Sequence, residues 1–191
     1  TSHNSVLEST DSATFEMLTT ELLWKVATTE PQLRSRVYEN VQRIPALYQI
    51  SAEEIVFEFS KIIGIGMPLV REAKVQMFLP WEPMFFQECH QDINSLESER
   101  SVTFWIPLAP LPADRAVRYW VGSHGAGPVE HEIVENADAG IFLERIPAEF
   151  QERYPEVRCA HADAGDIIAL NRLLFHQSPE FENQALARWS I

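Results

Sequence analysis

The chain has 191 residues, of which 46% are hydrophobic and 23% are charged, and this composition is typical of one folded domain and excludes wholesale disorder. Its net charge is −13, from 15 basic and 28 acidic residues, which disfavours binding to nucleic acids and to anionic membrane surfaces because both are negatively charged. No run of about 18 apolar residues occurs and Thr1–Asp11 contains no hydrophobic segment, so neither a membrane span nor a signal peptide is expected.

The N-terminal third is predicted to form three helices. The first has Asp11 or Ser12 as a cap, the second spans Pro31 to Pro45, and Ser51 with Glu54 forms a capping box for the third. Apolar residues that recur at helical spacing are expected to face a core. They are Phe15, Leu18, Leu22 and Val26 in the first helix, Leu33, Val37 and Val41 in the second, and Ile55, Phe59 and Ile62 in the third.

From Pro68 onward, short β-type runs replace the helical period, and clusters of Pro, Gly, Asn and Asp separate them. A helical insert is predicted around Ala148–Tyr154. Many short strands are typical of a sandwich or a barrel. Since no flexible linker divides the helices from the strands, residues 1–66 are interpreted as a helical brace on a β core of residues 67–191, within a single domain. The strands are predicted at Lys74–Leu79, Phe85–His90, Ser101–Pro107, Val117–Gly122, Val129–Val134, Val157–Ala160, Gly165–Leu170, Leu173–His176 and Leu186–Ile191.

Two cysteines occur, Cys89 and Cys159. They allow at most one disulfide, and they do not form a Cys-x-x-Cys pair. The sequence therefore excludes a disulfide framework and a zinc site built from paired thiolates. A reducing cytoplasm is the expected compartment, because proteins of oxidising compartments use disulfides more heavily.

A histidine and a carboxylate alternate in His90-Gln91-Asp92. On a strand, residues i and i+2 point to the same face, so both side chains can bind one metal ion. Two imidazoles and one carboxylate, with other coordination positions open, are the ligands of non-haem Fe(II) oxygenases. His176, in an apolar run that suits a core strand, is the candidate for the second imidazole. His161 and Asp163 repeat the spacing, but they precede a Gly-Asp turn and are interpreted as surface loop residues.

The segment Arg188-Trp189-Ser190 places an arginine and a hydroxyl at the same i, i+2 spacing. A guanidinium binds a carboxylate through two parallel hydrogen bonds, and a hydroxyl can add a third. This pair therefore predicts a carboxylate-binding site. Among the remaining histidines, His124 is interpreted as a turn residue and His131 shows no functional pattern.

Six short motifs, taken in order, resemble the phytanoyl-CoA dioxygenase family of Fe(II)- and 2-oxoglutarate-dependent oxygenases. The resemblance covers about Lys74 to Ile191. It implies a mainly β fold, a double-stranded β-helix, which is a jelly roll of cupin-like architecture, here braced by N-terminal helices. The motifs are His90-Gln91-Asp92, Val102–Leu108, Gly122-Ser123-His124-Gly125, Gly165-Asp166-Ile167-Ile168, His176-Gln177-Ser178 and Arg188-Trp189-Ser190.

The same resemblance implies a role for several residues of this chain. His90, Asp92 and His176 would be the ligands of an Fe(II) ion. Arg188 would bind the distal carboxylate of the cosubstrate 2-oxoglutarate. The residues that would assist Arg188 or line the cosubstrate pocket are Ser190, Ser178, Trp105 and Gln76.

The function that the resemblance implies is a dioxygenase that hydroxylates a small organic metabolite with O2 and releases succinate and CO2. Related halogenases have a small residue at the carboxylate position, so the presence of Asp92 favours oxygen chemistry. The alternative is a cupin-type metal-binding isomerase or a binding protein without 2-oxoglutarate chemistry, and the pairing of Arg188 with Ser190 argues against it. A complete set of three ligands disfavours an inactive relative with a scaffolding role.

Overall fold

A computed structural model describes residues 12–71, 73–79, 87–94, 98–109, 116–136, 141–178 and 188–191. In this part of the chain, the helices are α1 (Ser12–Thr29), α2 (Pro31–Val41), α3 (Pro45–Ser51), α4 (Glu54–Ile62) and α5 (Ala148–Gln151). The strands are β1 (Gln76–Phe78), β2 (Val102–Trp105), β3 (Val117–Trp120), β4 (Glu132–Asn136), β5 (Ile141–Arg145), β6 (Val157–Ala160), β7 (Ile168–Asn171), β8 (His176–Gln177) and β9 (Arg188–Ser190). After its N-terminal helices the chain is mainly β, with several antiparallel sheets. None of the helices in the described part is long and apolar enough to cross a membrane.

Pro45 begins a helix rather than ending one, and two predictions are corrected by this. α2 already ends at Val41, and Pro45 stands in the first turn of α3, where its missing N–H loses no helical hydrogen bond. The predicted capping box is also wrong, because Ser51 is the last residue of α3 and its hydroxyl donates to two carbonyl oxygens of the preceding turn, each at 3.1 Å. α4 instead follows Glu53, whose side chain makes no capping hydrogen bond.

The helix faces predicted to be buried are wrong in part. Four of the residues expected in the core are exposed: Leu22, Leu33, Ile55 and Ile62. The residues that follow two of them in the chain, Leu23 and Val56, are buried instead. Helical spacing identifies an apolar stripe, but the element that packs on the helix decides which side is covered. The side chains of Phe15 and Leu18 lie outside the described part of the structure.

The strands form antiparallel ladders, and hydrogen bonds join these ladders at two further places. β1 pairs with β9, β2 pairs with β7, β3 lies between β6 and β8, and β4 pairs with β5. Beyond β2, Pro107 bridges to Ser190, and Ile106 exchanges two hydrogen bonds of 2.8 Å with Ile191. β9 therefore lies between β1 and the continuation of β2. A second bridge pairs His90 with His176 at the start of β8.

Most strands that the structure describes lie close to their predicted places. β6 coincides with the prediction at Val157–Ala160, and α5 lies within the predicted helical insert. The strand predicted at Val129–Val134 corresponds to β4, which begins three residues later, at Glu132. β5 has no counterpart among the predicted strands. The strand predicted at Phe85–His90 is wrong in its described part, residues 87–90, where only His90 forms an isolated bridge and Asp92 then lies in a turn. β8 begins at the last residue of the strand predicted at Leu173–His176, and of Leu186–Ile191 the structure describes residues 188–191, which include β9. Both cysteines are free thiols.

The sheet that contains β1, β9 and β2 carries the helices on one face. Met77, Leu79 and Trp189 pack with Leu23 of α1, and the ring of Phe104 in β2 lies edge-on to that of Phe59 in α4, with centroids 5.6 Å apart. The side-chain amide of Gln42, just after α2, also exchanges hydrogen bonds of 2.7 and 2.8 Å with the backbone of Val75, just before β1. Side chains alternate along a strand, so the intervening residues of these strands face the opposite side.

Candidate metal centre

Backbone pairing brings His90 and His176 side by side, although they are far apart in the sequence. The N–H of His90 donates to the carbonyl of His176 at 3.0 Å, and the N–H of His176 donates back at 3.1 Å. Residues that exchange both hydrogen bonds stand directly opposite each other in an antiparallel ladder, with side chains on the same face. The two imidazole rings accordingly have centroids 4.3 Å apart.

The carboxylate of Asp92 completes the group. Its Oδ1 lies 3.7 Å from Nε2 of His90 and 3.8 Å from Nε2 of His176. Each residue offers one ligand atom, and these atoms all lie within 4.8 Å of one another, a spacing at which a single metal ion could bind all three. The competing pair, His161 and Asp163, is exposed at the surface, in agreement with its interpretation as a loop.

Hydrogen bonds on the far side of both rings determine where their protons lie. Nδ1 of His90 is 2.7 Å from the carbonyl oxygen of Glu88, and Nδ1 of His176 is 3.0 Å from that of Leu174. A carbonyl oxygen only accepts, so we assign the proton of each neutral ring to Nδ1, which leaves Nε2 as an acceptor. Burial, and next the neighbouring His176, lower the pKa of His90 from 6.5 to about 4, so this ring is uncharged at neutral pH.

The chemistry of this donor set fits a divalent cation. Two imidazole nitrogens and a carboxylate oxygen face one another, and lone pairs at this spacing repel unless they share a positive charge. Two imidazoles and one carboxylate suit Fe(II) and related transition metals. The hydrogen bonds to Nδ1 resemble the outer contacts that orient histidine ligands in metalloproteins.

The two oxygens of Asp92 have different surroundings. The hydroxyl of Thr103 in β2 donates to Oδ2 at 2.6 Å, while Oδ1 faces the histidines. The backbone N–H of Asp92 also donates to the carbonyl of Arg172 at 3.0 Å. These contacts present one carboxylate oxygen to the metal position and hold the other away from it. Thr103 was not a candidate from the sequence, because the residue that it binds, Asp92, is 11 residues away in the chain.

Arg188 and Ser190, the residues of the predicted carboxylate site, lie on β9, which pairs with β1. Arg188 is only 2% exposed, and its Nη2 donates to the hydroxyl of Ser178 at 2.8 Å. The guanidinium carbon lies 4.1 Å from the ring centroid of Phe78 and 5.7 Å from that of Trp105, so both rings are within the distance of a cation–π interaction. Ser190 is fully buried, and its hydroxyl has no hydrogen-bond partner among the residues that the structure describes.

The remaining predicted pocket residue, Gln76, lies on the same face as these groups. In the β1–β9 ladder, Gln76 is opposite Ser190 and Phe78 is opposite Arg188. Residues directly opposite in an antiparallel ladder project to the same side. Gln76 is half-buried. The structure therefore brings Gln76, Arg188 and Ser190 to one side of the sheet, away from the helices.

The spacing of residues at β8 and along β2 indicates how far the metal position lies from the guanidinium of Arg188. His176 of β8 belongs to the triad, and Ser178, two residues later and just past the end of β8, binds Arg188. On β2, Thr103 binds Asp92, and Trp105, two residues later, lies beside Arg188. Two residues of strand span about 7 Å. A short dicarboxylate of a few carbon atoms can bridge this spacing.

No known family model and no curated protein matches this chain. The case for a function is therefore built on the sequence motifs and on the geometry of the site.

Two further residues of the site were not found from the sequence. His131 has a buried side chain, and its Nε2 accepts a hydrogen bond of 3.2 Å from the backbone N–H of Gln91. Gln91 itself is 1% exposed and binds backbone atoms through its side-chain amide. A polar residue between two candidate ligands was the available signal for Gln91. For His131 the sequence offered none, because a long segment separates it from its partner.

Proposed function

We propose that this chain is an Fe(II)- and 2-oxoglutarate-dependent dioxygenase of the phytanoyl-CoA dioxygenase type, which hydroxylates a small organic metabolite. One observation carries the proposal. At two places, a residue of the triad or a residue that binds it comes two positions before a residue that contacts the buried Arg188: Thr103 before Trp105 on β2, and His176 before Ser178 at β8. A metal site alone fits many functions, whereas a buried guanidinium at this distance fits a cosubstrate with a distal carboxylate.

We also propose that the strands form the double-stranded β-helix implied by the resemblance. The pairing of β9 with β1 and with the continuation of β2, which itself pairs with β7, supports one sheet of four strands. The bridge from His90 to β8, together with the β6–β3–β8 ladder, supports a second. The hydrogen bonds from Thr103 to Asp92 and from Arg188 to Ser178 link side chains across the two, as expected for facing sheets with the site between them.

When bound, Fe(II) and 2-oxoglutarate supply the oxidative chemistry: O2 gives one oxygen atom to succinate, formed with CO2, and the other to the hydroxyl group of the product. His90, Asp92 and His176 hold the metal. Arg188 neutralises the distal carboxylate of the cosubstrate, and the hydroxyls of Ser178 and Ser190 orient it by hydrogen bonding. Trp105 and Gln76 would line the site of the same carboxylate, since Trp105 lies beside Arg188 and Gln76 is opposite Ser190.

Hydroxylation is favoured over halogenation by Asp92. A halide ion needs the coordination position that a carboxylate would fill, and Oδ1 of Asp92 points at the shared metal position. The second oxygen of this carboxylate is held by Thr103, so the side chain does not swing away without breaking that hydrogen bond. Mass spectrometry of the product formed in excess chloride is expected to show oxygenation without a chlorine isotope pattern.

The deciding experiment is anaerobic titration of the Fe(II)-loaded protein with 2-oxoglutarate, followed by measurement of succinate after O2 is admitted. We expect a visible charge-transfer absorption of the 2-keto acid on iron, and succinate formation even without substrate. Arg188→Lys keeps the charge but loses the two-pronged donor, so its apparent KM for 2-oxoglutarate should rise at least tenfold.

Arg118→Lys is the matched control, because Arg118 is an exposed arginine on β3, and its KM should stay within twofold of the parent protein. Binding of iron without any binding of 2-oxoglutarate would contradict the proposal and favour the cupin-type alternative. Equal KM values in the two arginine variants would contradict the role of Arg188.

A further inference from the structure

We propose that Gln91, the residue between two of the ligands, is a positioning residue that holds the two halves of the metal triad in register. This inference rests on the proposed metal centre and adds to it a residue that does not touch the metal. Gln91 is 1% exposed. The large majority of buried polar side chains are hydrogen-bonded, and the hydrogen bonds of Gln91 lead to the segments that carry the ligands.

The side-chain amide of Gln91 binds three backbone atoms. Its Nε2 donates to the carbonyl oxygens of Gly127 at 2.9 Å and Leu173 at 2.7 Å. Its Oε1 accepts from the N–H of Val129 at 2.9 Å. Both amide protons are therefore used, and one side chain ties the loop at 127–129 to the segment that enters β8.

The bond to Leu173 reaches the third ligand. The next residue, Leu174, supplies the carbonyl oxygen that accepts from Nδ1 of His176 at 3.0 Å. Holding the Leu173 carbonyl restrains the peptide that joins Leu173 to Leu174, and through the backbone of Leu174 it restrains the next peptide, whose carbonyl orients the imidazole of His176. Gln91 thus connects the His90-x-Asp92 segment to the ring orientation of His176 through a chain of two hydrogen bonds.

The backbone of Gln91 is held as well. Its N–H donates to Nε2 of His131 at 3.2 Å. The other ring nitrogen of His131 lies 3.4 Å from Oε2 of Glu144, and the amide of Asn94 donates to the same oxygen at 2.9 Å. The peptide that joins His90 to Gln91 is therefore restrained from outside the triad, which keeps the spacing of His90 and Asp92 constant.

A merely structural glutamine provides the contrast. Gln42 makes the same kind of two-sided contact, donating to the carbonyl of Val75 at 2.7 Å and accepting from its N–H at 2.8 Å. Its contacts join α2 to the strand region and involve no ligand. Replacing either glutamine by glutamate keeps the shape and the accepting oxygen but removes the donor, so both changes should destabilise the fold, while only one should loosen the metal site.

The test measures Mn(II) affinity from the electron paramagnetic resonance signal of the free ion, at a temperature at which circular dichroism shows each variant folded. The full chain is used, with Gln91→Glu, Gln91→Met and Gln42→Glu as variants. We expect both Gln91 variants to bind Mn(II) at least tenfold more weakly, as do many changes to outer contacts of metal ligands. The affinity of Gln42→Glu should remain within threefold. Gln91→Met separates the lost hydrogen bonds from the added charge of glutamate.

Unchanged affinity in the Gln91 variants, or an equal loss in Gln42→Glu, would overturn the proposal. If the parent protein binds no more Mn(II) than His176→Ala does, the metal centre fails, and with it the proposed function, rather than the role of Gln91 alone. If the Gln91 variants do not fold, the proposal is tested on the parent protein by measuring amide hydrogen exchange with and without Mn(II). Coupling is reciprocal, so saturating Mn(II) should slow exchange at the Val129 amide at least threefold more than at Val75, and equal slowing would refute the coupling.

Discussion

Each oxygen of the Asp92 carboxylate has a distinct contact. Oδ2 accepts a hydrogen bond of 2.6 Å from Thr103, and Oδ1 faces the two imidazoles at 3.7 and 3.8 Å. Short bonds to an ionised acceptor are among the stronger hydrogen bonds in proteins. A single hydroxyl from another strand therefore selects which oxygen is available to a metal, and this favours binding through one oxygen.

Removing that hydroxyl should weaken the metal site. Thr103→Val keeps the shape and loses the donor, so we expect metal affinity to fall by about tenfold or more. Thr103→Ser keeps the donor and should retain affinity within about threefold. Isothermal titration with Mn(II) measures both. Equal affinity in the valine and serine variants would contradict the role assigned to Thr103.

Cys89 is buried beside a candidate ligand, but its thiol is not suited to bind a metal. This thiol precedes His90 in the chain, but burial, and next the charge of Glu88, raise its pKa to about 12. A thiol in this state is protonated at neutral pH and is a poor ligand and nucleophile. Its position next to a candidate ligand therefore does not make it part of the site.

At the scale of whole elements, the two faces of the sheet containing β1, β9 and β2 have different contacts. One face packs on α1 and α4 through Leu23 and Phe59, and Gln42, just after α2, binds the backbone of Val75 just before β1. The other face carries Arg188 and Ser190. Alternation along the strands produces this division, because neighbouring residues point in opposite directions. The helices thus cover the side of the sheet opposite Arg188 and Ser190.

Adjacent leucines on α1 test this packing. Leu23 is 6% exposed and Leu22 is 62% exposed. Leu23→Ala should lower the free energy of unfolding by about 2–4 kcal/mol, because it removes buried methyl groups and leaves a cavity. Leu22→Ala should change it by less than about 0.5 kcal/mol. Urea denaturation of the two variants compares them directly. A larger effect at Leu22 would restore the helix face predicted from the sequence.

At the scale of the whole molecule, the site joins parts of the chain that are distant in sequence. His90 and His176 belong to one set of paired strands, while Thr103 and Arg188 come from the other. Side-chain hydrogen bonds connect the two sets at Asp92 and at Ser178. A ligand bound in this region therefore depends on the complete fold, and in return it stabilises that fold.

Metal binding should raise the thermal stability of the full chain. At a free metal concentration of about 100 times Kd, linkage predicts a gain of about 2.7 kcal/mol, which for this size corresponds to a rise in Tm of roughly 5–10 °C. Differential scanning calorimetry with Mn(II) should show the rise in the parent protein and in His161→Ala, whose histidine is exposed. His176→Ala should show none. The opposite behaviour of the two variants would overturn the triad.

Much of the fold was predictable because it depends on local patterns. The change of period near Pro68, the positions of β6 and α5 and the existence of α1 and α2 follow from neighbouring residues alone. The exposed face of α4 and the helix at Pro45 were not predicted correctly. The former depends on where the sheet lies, and at the latter a proline that ends one helix in the sequence pattern instead starts another.

The sequence by itself determined the candidates for the site: a histidine and a carboxylate at strand spacing, a second histidine in an apolar run, and an arginine with a hydroxyl. Only the tertiary structure decided that His176 rather than His161 lies beside His90, that Thr103 holds Asp92, and that Ser178 binds Arg188. The physical reason is that the spacing of neighbouring residues is set by the covalent geometry of the chain, so it can be read directly from the sequence. The register between distant strands is set by burial and hydrogen bonding, which depend on the whole folded chain.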